Sequence, residues 1–133
     1  MKLRPHEEFS LWRRRNNYSQ AEIAERFNIS QGYISHMEQG VRPVPKKIRG
    51  EMPQWMKTSE GDELLVRMKR QGLNMNLAVA MFKITHTKLL SFIRNEEPVP
   101  TEVWERLEQD EKRFQEYKAD LKVAAKTLKT KAN

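Results

Sequence analysis

Residues 19–45 read SQAEIAERFNISQGYISHMEQGVRPVP, and this stretch constrains the fold more than any other. Apolar residues at Ile23, Ala24 and Phe27, then Ile29, then Ile34 and Met37 mark two short helices whose buried faces meet across a tight turn. Ser19 and Ser30 each stand immediately before a helical run, where a hydroxyl accepts a hydrogen bond from an otherwise unpaired backbone N–H of the first turn. Gly40 ends the second helix, because that position suits a residue tolerant of positive φ. Helices this short cannot lie parallel over so tight a turn. They cross steeply, and the second is pushed outward.

The outward face carries Gln31, Gly32, Tyr33, Ser35, His36 and Gln39, small or hydrogen-bonding groups where an ordinary solvated helix scatters Lys and Glu. Such groups suit a DNA major groove, where Gln bonds an adenine edge through two hydrogen bonds and Ser takes either role. The first 55 residues or so resemble the Cro and phage-repressor type (XRE-like) helix-turn-helix. Gln20, Ala24, Ile29, Ser30-Gln31, Ile34-Ser35 and Glu38-x-Gly40 carry the resemblance. It implies that Gln20 binds phosphate and braces Gln31. It also implies that Gln31, Gly32, Tyr33, Ser35 and His36 face bases, with Gln39 and Arg42 toward phosphate.

Charge supports the same partner. Residues 1–58 hold eleven Lys/Arg against six Asp/Glu, whereas 59–100 hold six against five and 101–133 eight against seven, so the basic excess sits with the outward helix. Nucleic acid is the natural partner of such an excess, since each neutralised phosphate releases counterions. The chain has no cysteine, which excludes disulfides and thiolate chemistry and fits a reducing compartment. No apolar run approaches a membrane span, and residues 1–15 lack an apolar signal core, so a cytoplasmic protein is expected.

Within the first module, residues 5–16 read as a helix with Phe9 and Trp12 on its inner stripe and Arg13-Arg14-Arg15 near its end. The Arg run either complements the helix dipole or clamps phosphate. Asn17 supplies a left-handed turn into Ser19. Past Gly40, Pro43-Val44-Pro45 is extended, and Pro45 opens a helix to about residue 52 whose Lys46, Lys47 and Arg49 are backbone contacts or a solvated face. A linker over 53–59 contains Trp55 and Met56, so it is expected to be packed.

Sliding the chain on itself by 55 residues, without a gap, superimposes residues 11–52 on 66–107. Arg15 meets Arg70, Phe27 meets Phe82, Ile29 meets Ile84, and Pro43-Val44-Pro45 meets Pro98-Val99-Pro100. The caps correspond as well, Ser19 with Asn74 and Ser30 with Thr85. This predicts a second helix-turn-helix module, by duplication or by convergence on one apolar register. The copy departs where function would be read: Met75 stands for Gln20, His86 for Gln31 and Asn95 for Gly40. Its outward Lys88 and Arg94 could bind phosphate or guanine, or the module could pack or bind a protein partner.

From Thr101 to about Leu128 there is neither Gly nor Pro, and Val103, Leu107, Phe114, Tyr117, Leu121, Ala124 and Leu128 recur at alternating four and three, interrupted by Asp110. This heptad stripe predicts a long helix that either dimerises through Leu107, Phe114, Tyr117, Leu121 and Leu128 or folds back on its own module. Flanking charges admit parallel and antiparallel pairing. Lys126, Lys129 and Lys131 read as a frayed basic tail.

No Cys/His cluster has zinc spacing and no Gly-rich phosphate loop is present, and His6, His36 and His86 are scattered. No nucleophile and base assemble, so no metal, cofactor or catalysis is expected. The sequence thus predicts an all-α chain: a helix-turn-helix over 1–56, a divergent second over 57–100, and a long amphipathic helix over 101–133. The function expected is a sequence-specific DNA-binding regulator of phage or bacterial repressor type, a homodimer on double-stranded DNA at the nucleoid of a bacterial host. The rival is a protein-binding regulator, of antirepressor or inhibitor type, that uses the second module and C-terminal helix to capture a protein.

Overall fold

A computed structural model describes residues 1–54 and 57–132, with side chains to Leu128. The described residues form helices and turns and contain no strand, so the fold is all-α. The chain divides into two compact units, Met1–Thr58 and Ser59–Asn133. The expected packing of Trp55 and Met56 lies outside the described residues, as do the side chains of Lys129 and Lys131.

The first unit holds α1 (Pro5–Arg15), α2 (Gln20–Arg26), α3 (Gln31–Glu38) and α4 (Lys46–Arg49). Pro5 opens α1, with the Glu7 carboxylate accepting from the Arg4 N–H at 2.8 Å. The hydroxyls of Ser19 and Ser30 accept from the N–H groups of Glu22 and Tyr33, at 3.0 and 3.1 Å. Asn17 and Asn28 make the left-handed turns before α2 and α3, and Gly40, at φ +79°, closes α3. The amphipathic faces bury Phe9, Trp12, Ile23, Ala24, Phe27, Ile34, Met37, Val44 and Ile48 in one core. The fourth helix is shorter than expected: Pro45 is its extended cap, and only Lys46–Arg49 are helical before the chain turns at Gly50.

The second unit holds α5 (Glu60–Arg70), α6 (Met75–Phe82), α7 (His86–Ile93) and α8 (Thr101–Ala132). Ser59 and Asp62 cap α5 reciprocally, at 3.0 and 3.1 Å, and the side chains of Asn74 and Thr85 cap α6 and α7. Helices α5 and α7 begin and end 55 positions after α1 and α3. The left-handed residues of the second unit, Gly72, Lys83 and Asn95, fall 55 positions after Asn17, Asn28 and Gly40. One substitution allows a closer approach of helices: a Cβ on Gly61 would lie 2.2 Å from the Ile93 carbonyl oxygen, so α5 meets the end of α7 backbone to backbone.

The core of this unit comprises Leu64, Leu65, Met68, Ala78, Leu89, Phe92, Ile93, Val99, Val103 and Leu107. That corrects the reading of Leu107 as a dimer contact. It is fully buried in its own unit, because the start of α8 closes this core as α4 closes the first. Beyond it, Phe114 is half-buried, whereas Tyr117, Leu121 and Leu128 are exposed.

Candidate nucleic-acid interface

On α3, Ile34 and Met37 point into the core, so the rest of the helix faces outward. Gln31, Gly32, His36 and Gln39 are exposed, Tyr33 and Ser35 half-buried. The Gln39 amide donates to the Ser35 hydroxyl at 3.3 Å, and the Tyr33 hydroxyl donates to the Pro43 carbonyl at 3.3 Å. The Arg42 guanidinium lies 5.9 Å from the Tyr33 ring centroid. These contacts fix one edge of the face and leave Gln31, Gly32 and His36 presented at the surface. Arg42 is exposed just past the end of α3, and the nearest acid on the helix, Glu38, is turned away.

Glu38, which the sequence marks only as part of the motif, has a structural role that sequence reasoning missed. Its carboxylate receives a forked ion pair from Arg13 on α1, one arm at 3.2 Å, and a hydrogen bond from the Gln20 amide at 3.1 Å. The Arg13 guanidinium also donates to the Tyr18 carbonyl at 2.8 Å. With Arg13 17% and Glu38 13% exposed, this is a partly dry strut that locks α1 and α2 against the end of α3. Two expectations change accordingly. Gln20 braces Glu38 rather than Gln31, because a carboxylate attracts an amide N–H more strongly than a neutral side chain does. Arg13, at the basic end of α1, is thereby a structural cation that joins this helix to α3. A signal was available: an acid in the last turn of a helix opposes the dipole and needs a cation from elsewhere.

The neighbouring cations divide in the same way. Lys47 donates to the Phe27 carbonyl at 2.6 Å, tying α4 to the end of α2, and Arg15 donates to the Lys57 carbonyl at 2.6 Å. Lys46 and Arg49 are exposed on α4.

Residues 11–48 match the family model described as Helix-turn-helix. The match runs from within α1 through most of α4, and with the geometry above it supports an XRE-type helix-turn-helix in this segment, with α3 as its second helix. No curated protein and no solved structure matches the chain.

In the second unit, one of the two cations expected to contact DNA has a partner of its own. Lys88 is paired with Glu97, its ammonium 2.9 and 3.1 Å from the two carboxylate oxygens, and the Ser91 hydroxyl donates to Glu97 at 3.1 Å. The Lys88 ammonium and the Ser91 hydroxyl hold the Glu97 carboxyl below the usual carboxylate range. His86 Nε2 lies 2.9 Å from the Asn76 side-chain oxygen, and Arg94 is exposed. Among the described residues no group of His, Cys, Asp and Glu could hold a metal ion, and no helix is long and apolar enough to cross a membrane.

Proposed function

We propose that the first unit is the sequence reader of a DNA-binding transcription regulator, laying α3 in the major groove so that Gln31, Gly32, Tyr33, Ser35 and His36 meet base edges. Gln20, Gln39 and Arg42 lie toward the phosphates. One observation carries the reading: the outward face of α3 presents hydrogen-bonding groups and no carboxylate, on a segment that matches the helix-turn-helix family. Regulation is repression by occluding polymerase at an operator, in the cytoplasm of a bacterial host and of the phage or bacterial repressor type. The second unit is a divergent helix-turn-helix copy, supported by the shared spacing of helices and left-handed turns. A second chain joins through Phe114, Tyr117, Leu121 and Leu128 on α8.

The test begins with a site selected from a random duplex pool. Gln31→Ala should lose about 1–3 kcal/mol at that site while random DNA is bound nearly as before. Arg42→Ala should weaken both and flatten the slope of log K against log salt by about 0.9. Equal losses on both DNAs for Gln31→Ala would reject base reading by α3.

A specific observation favours a second role for the remainder of the chain. The outer face of α6 carries exposed Leu77, and α8 exposes Tyr117, Leu121, Val123 and Leu128, apolar groups suited to a protein surface. In that reading the second unit and α8 capture a protein while the first unit holds DNA. A Leu121→Lys variant that keeps operator binding and loses regulation in cells would support it.

A further inference from the structure

The second unit repeats the outward geometry of the first up to one residue, and there the charge is reversed. In both units the helix is closed by the same backbone device. Gly40 donates to Met37 and Val41 to His36, at 3.0 and 2.9 Å, while Asn95 donates to Phe92 and Glu96 to Ser91, at 3.1 and 2.9 Å. The residue two past the left-handed turn therefore leaves the helix end along the same path. In the first unit it is Arg42, in the second Glu97.

We propose that Glu97 is the residue that keeps the second unit off nucleic acid. The proposal rests on the reading of Arg42 as a phosphate contact. Lys88 occupies the place of Tyr33, so the unit has the cation a phosphate would need, but both Glu97 oxygens lie within 3.1 Å of its ammonium. The Ser91 hydroxyl holds the carboxylate on that side. A phosphate approaching Lys88 must either share it with the carboxylate or expel the carboxylate into the same interface. In the first case little positive charge is left to neutralise it. In the second, two like charges meet where the cation was. Either arrangement yields less counterion release than an unpaired lysine would, and counterion release is the sequence-independent source of DNA affinity. Glu96 adds a second exposed negative charge at the place of Val41, so the cations gained at Lys88 and Arg94 are matched by two carboxylates.

The test is a salt titration of full-length chain on random-sequence duplex, comparing four proteins. Glu97→Gln keeps the shape of the side chain and removes its charge. It should bind more tightly than wild type and steepen the slope of log K against log salt by about 0.9, one added phosphate. That corresponds to an extra three- to fourfold loss of affinity, roughly, between about 50 and 200 mM salt. Adding Lys88→Met to Glu97→Gln should return the slope to wild type. Glu96→Gln, which makes the same change in net charge without touching Lys88, should leave the slope where it was. An unchanged slope in Glu97→Gln overturns the proposal, and so does an equal steepening in Glu96→Gln, which would make the effect one of overall charge. The increment is a difference between variants, so it is read whether or not α3 distinguishes sequences. Failure of Gln31→Ala to discriminate DNAs bears on the first unit alone.

Discussion

Where the first unit holds Arg13, Gln20 and Glu38, the second holds Met68, Met75 and Ile93. The polar trio is a partly buried ion pair with an amide brace, and each member of the apolar trio lies in or against the second hydrophobic core. Three positions spread over three helices differ together between the two units. Met75 fits its neighbours, because an amide at that place would lack the carboxylate that Gln20 has in Glu38. The same helical frame accepts either solution, since a satisfied polar cluster and an apolar cluster of similar volume differ little in net stability. The α1 start and α5 start differ in the same spirit. His6 covers Gly40 with its ring, whereas Gly61 brings its own backbone against the end of α7 and donates to the Asn95 side chain at 2.9 Å.

The harshest way to break this comparison is Gly61→Ala. The new Cβ would meet the Ile93 and Phe92 carbonyl oxygens at 2.2 and 2.6 Å, and backbone on both sides cannot yield. A loss of about 3 kcal/mol or more is expected, confined to the second unit, whereas His6→Ala at the matching place should cost under about 1 kcal/mol. Unit-resolved amide exchange distinguishes the two, and equal small effects would refute the close approach.

Next comes the trio. Glu38→Ala leaves Arg13 half-buried without its carboxylate and should destabilise the first unit by about 1–3 kcal/mol. Transplanting the whole second-unit solution, Arg13→Met, Gln20→Met and Glu38→Ile together, should come within about 1 kcal/mol of wild type by denaturant melting. A triple variant weaker than Glu38→Ala would show that the two trios are not alternatives.

Smaller still is the effect of removing residues from 116 onward. The last fully buried core residue of the second unit is Leu107, so its stability should change by less than about 1 kcal/mol, while sedimentation should report a monomer in place of a dimer. A full-length chain that is already monomeric at micromolar concentration would remove the α8 pairing. The smallest signal is the Glu97 titration. Lys88→Met removes the principal cause of its lowered value and should raise the carboxyl toward the ordinary range by NMR. Because the folded value is depressed, this contact favours folding above the ordinary carboxylate range and is lost as pH falls through the folded value.

The helical frame was legible because its punctuation is local. Ser19, Ser30, Asn74 and Thr85 each cap within three residues, and Gly40 and Asn95 each mark a left-handed turn. The exposure of Gln31, Gly32, His36 and Gln39 was legible for a related reason, since Ile34 and Met37 take the inner face of α3 and leave these residues the outer one. Contacts across the fold were not. Arg13 and Glu38 are 25 positions apart, and no periodicity joins them. Leu107 was misplaced because a heptad stripe looks the same whether it faces a second chain or its own core, and only the start of α8 as a closing helix decides between them. Glu97 was within reach of the 55-residue offset that yields Lys88, but it lies beyond the end of α7, where a reading confined to helix faces stops.

The 32 residues of α8 make a rod of about 48 Å, and only its first turns rest on a core. In helix–coil terms that root is a ready-made nucleus. The unfavourable step of fixing a first hydrogen-bonded turn is completed by the burial of Val103 and Leu107, and every later residue adds by propagation alone. Grown from a packed root, the helix melts one residue at a time from the far end. Amide exchange along α8 should therefore form a ramp, slowest near Leu107 and rising smoothly toward the terminus. A second chain seated on Phe114, Tyr117, Leu121 and Leu128 would turn that ramp into a plateau ending where the contact ends.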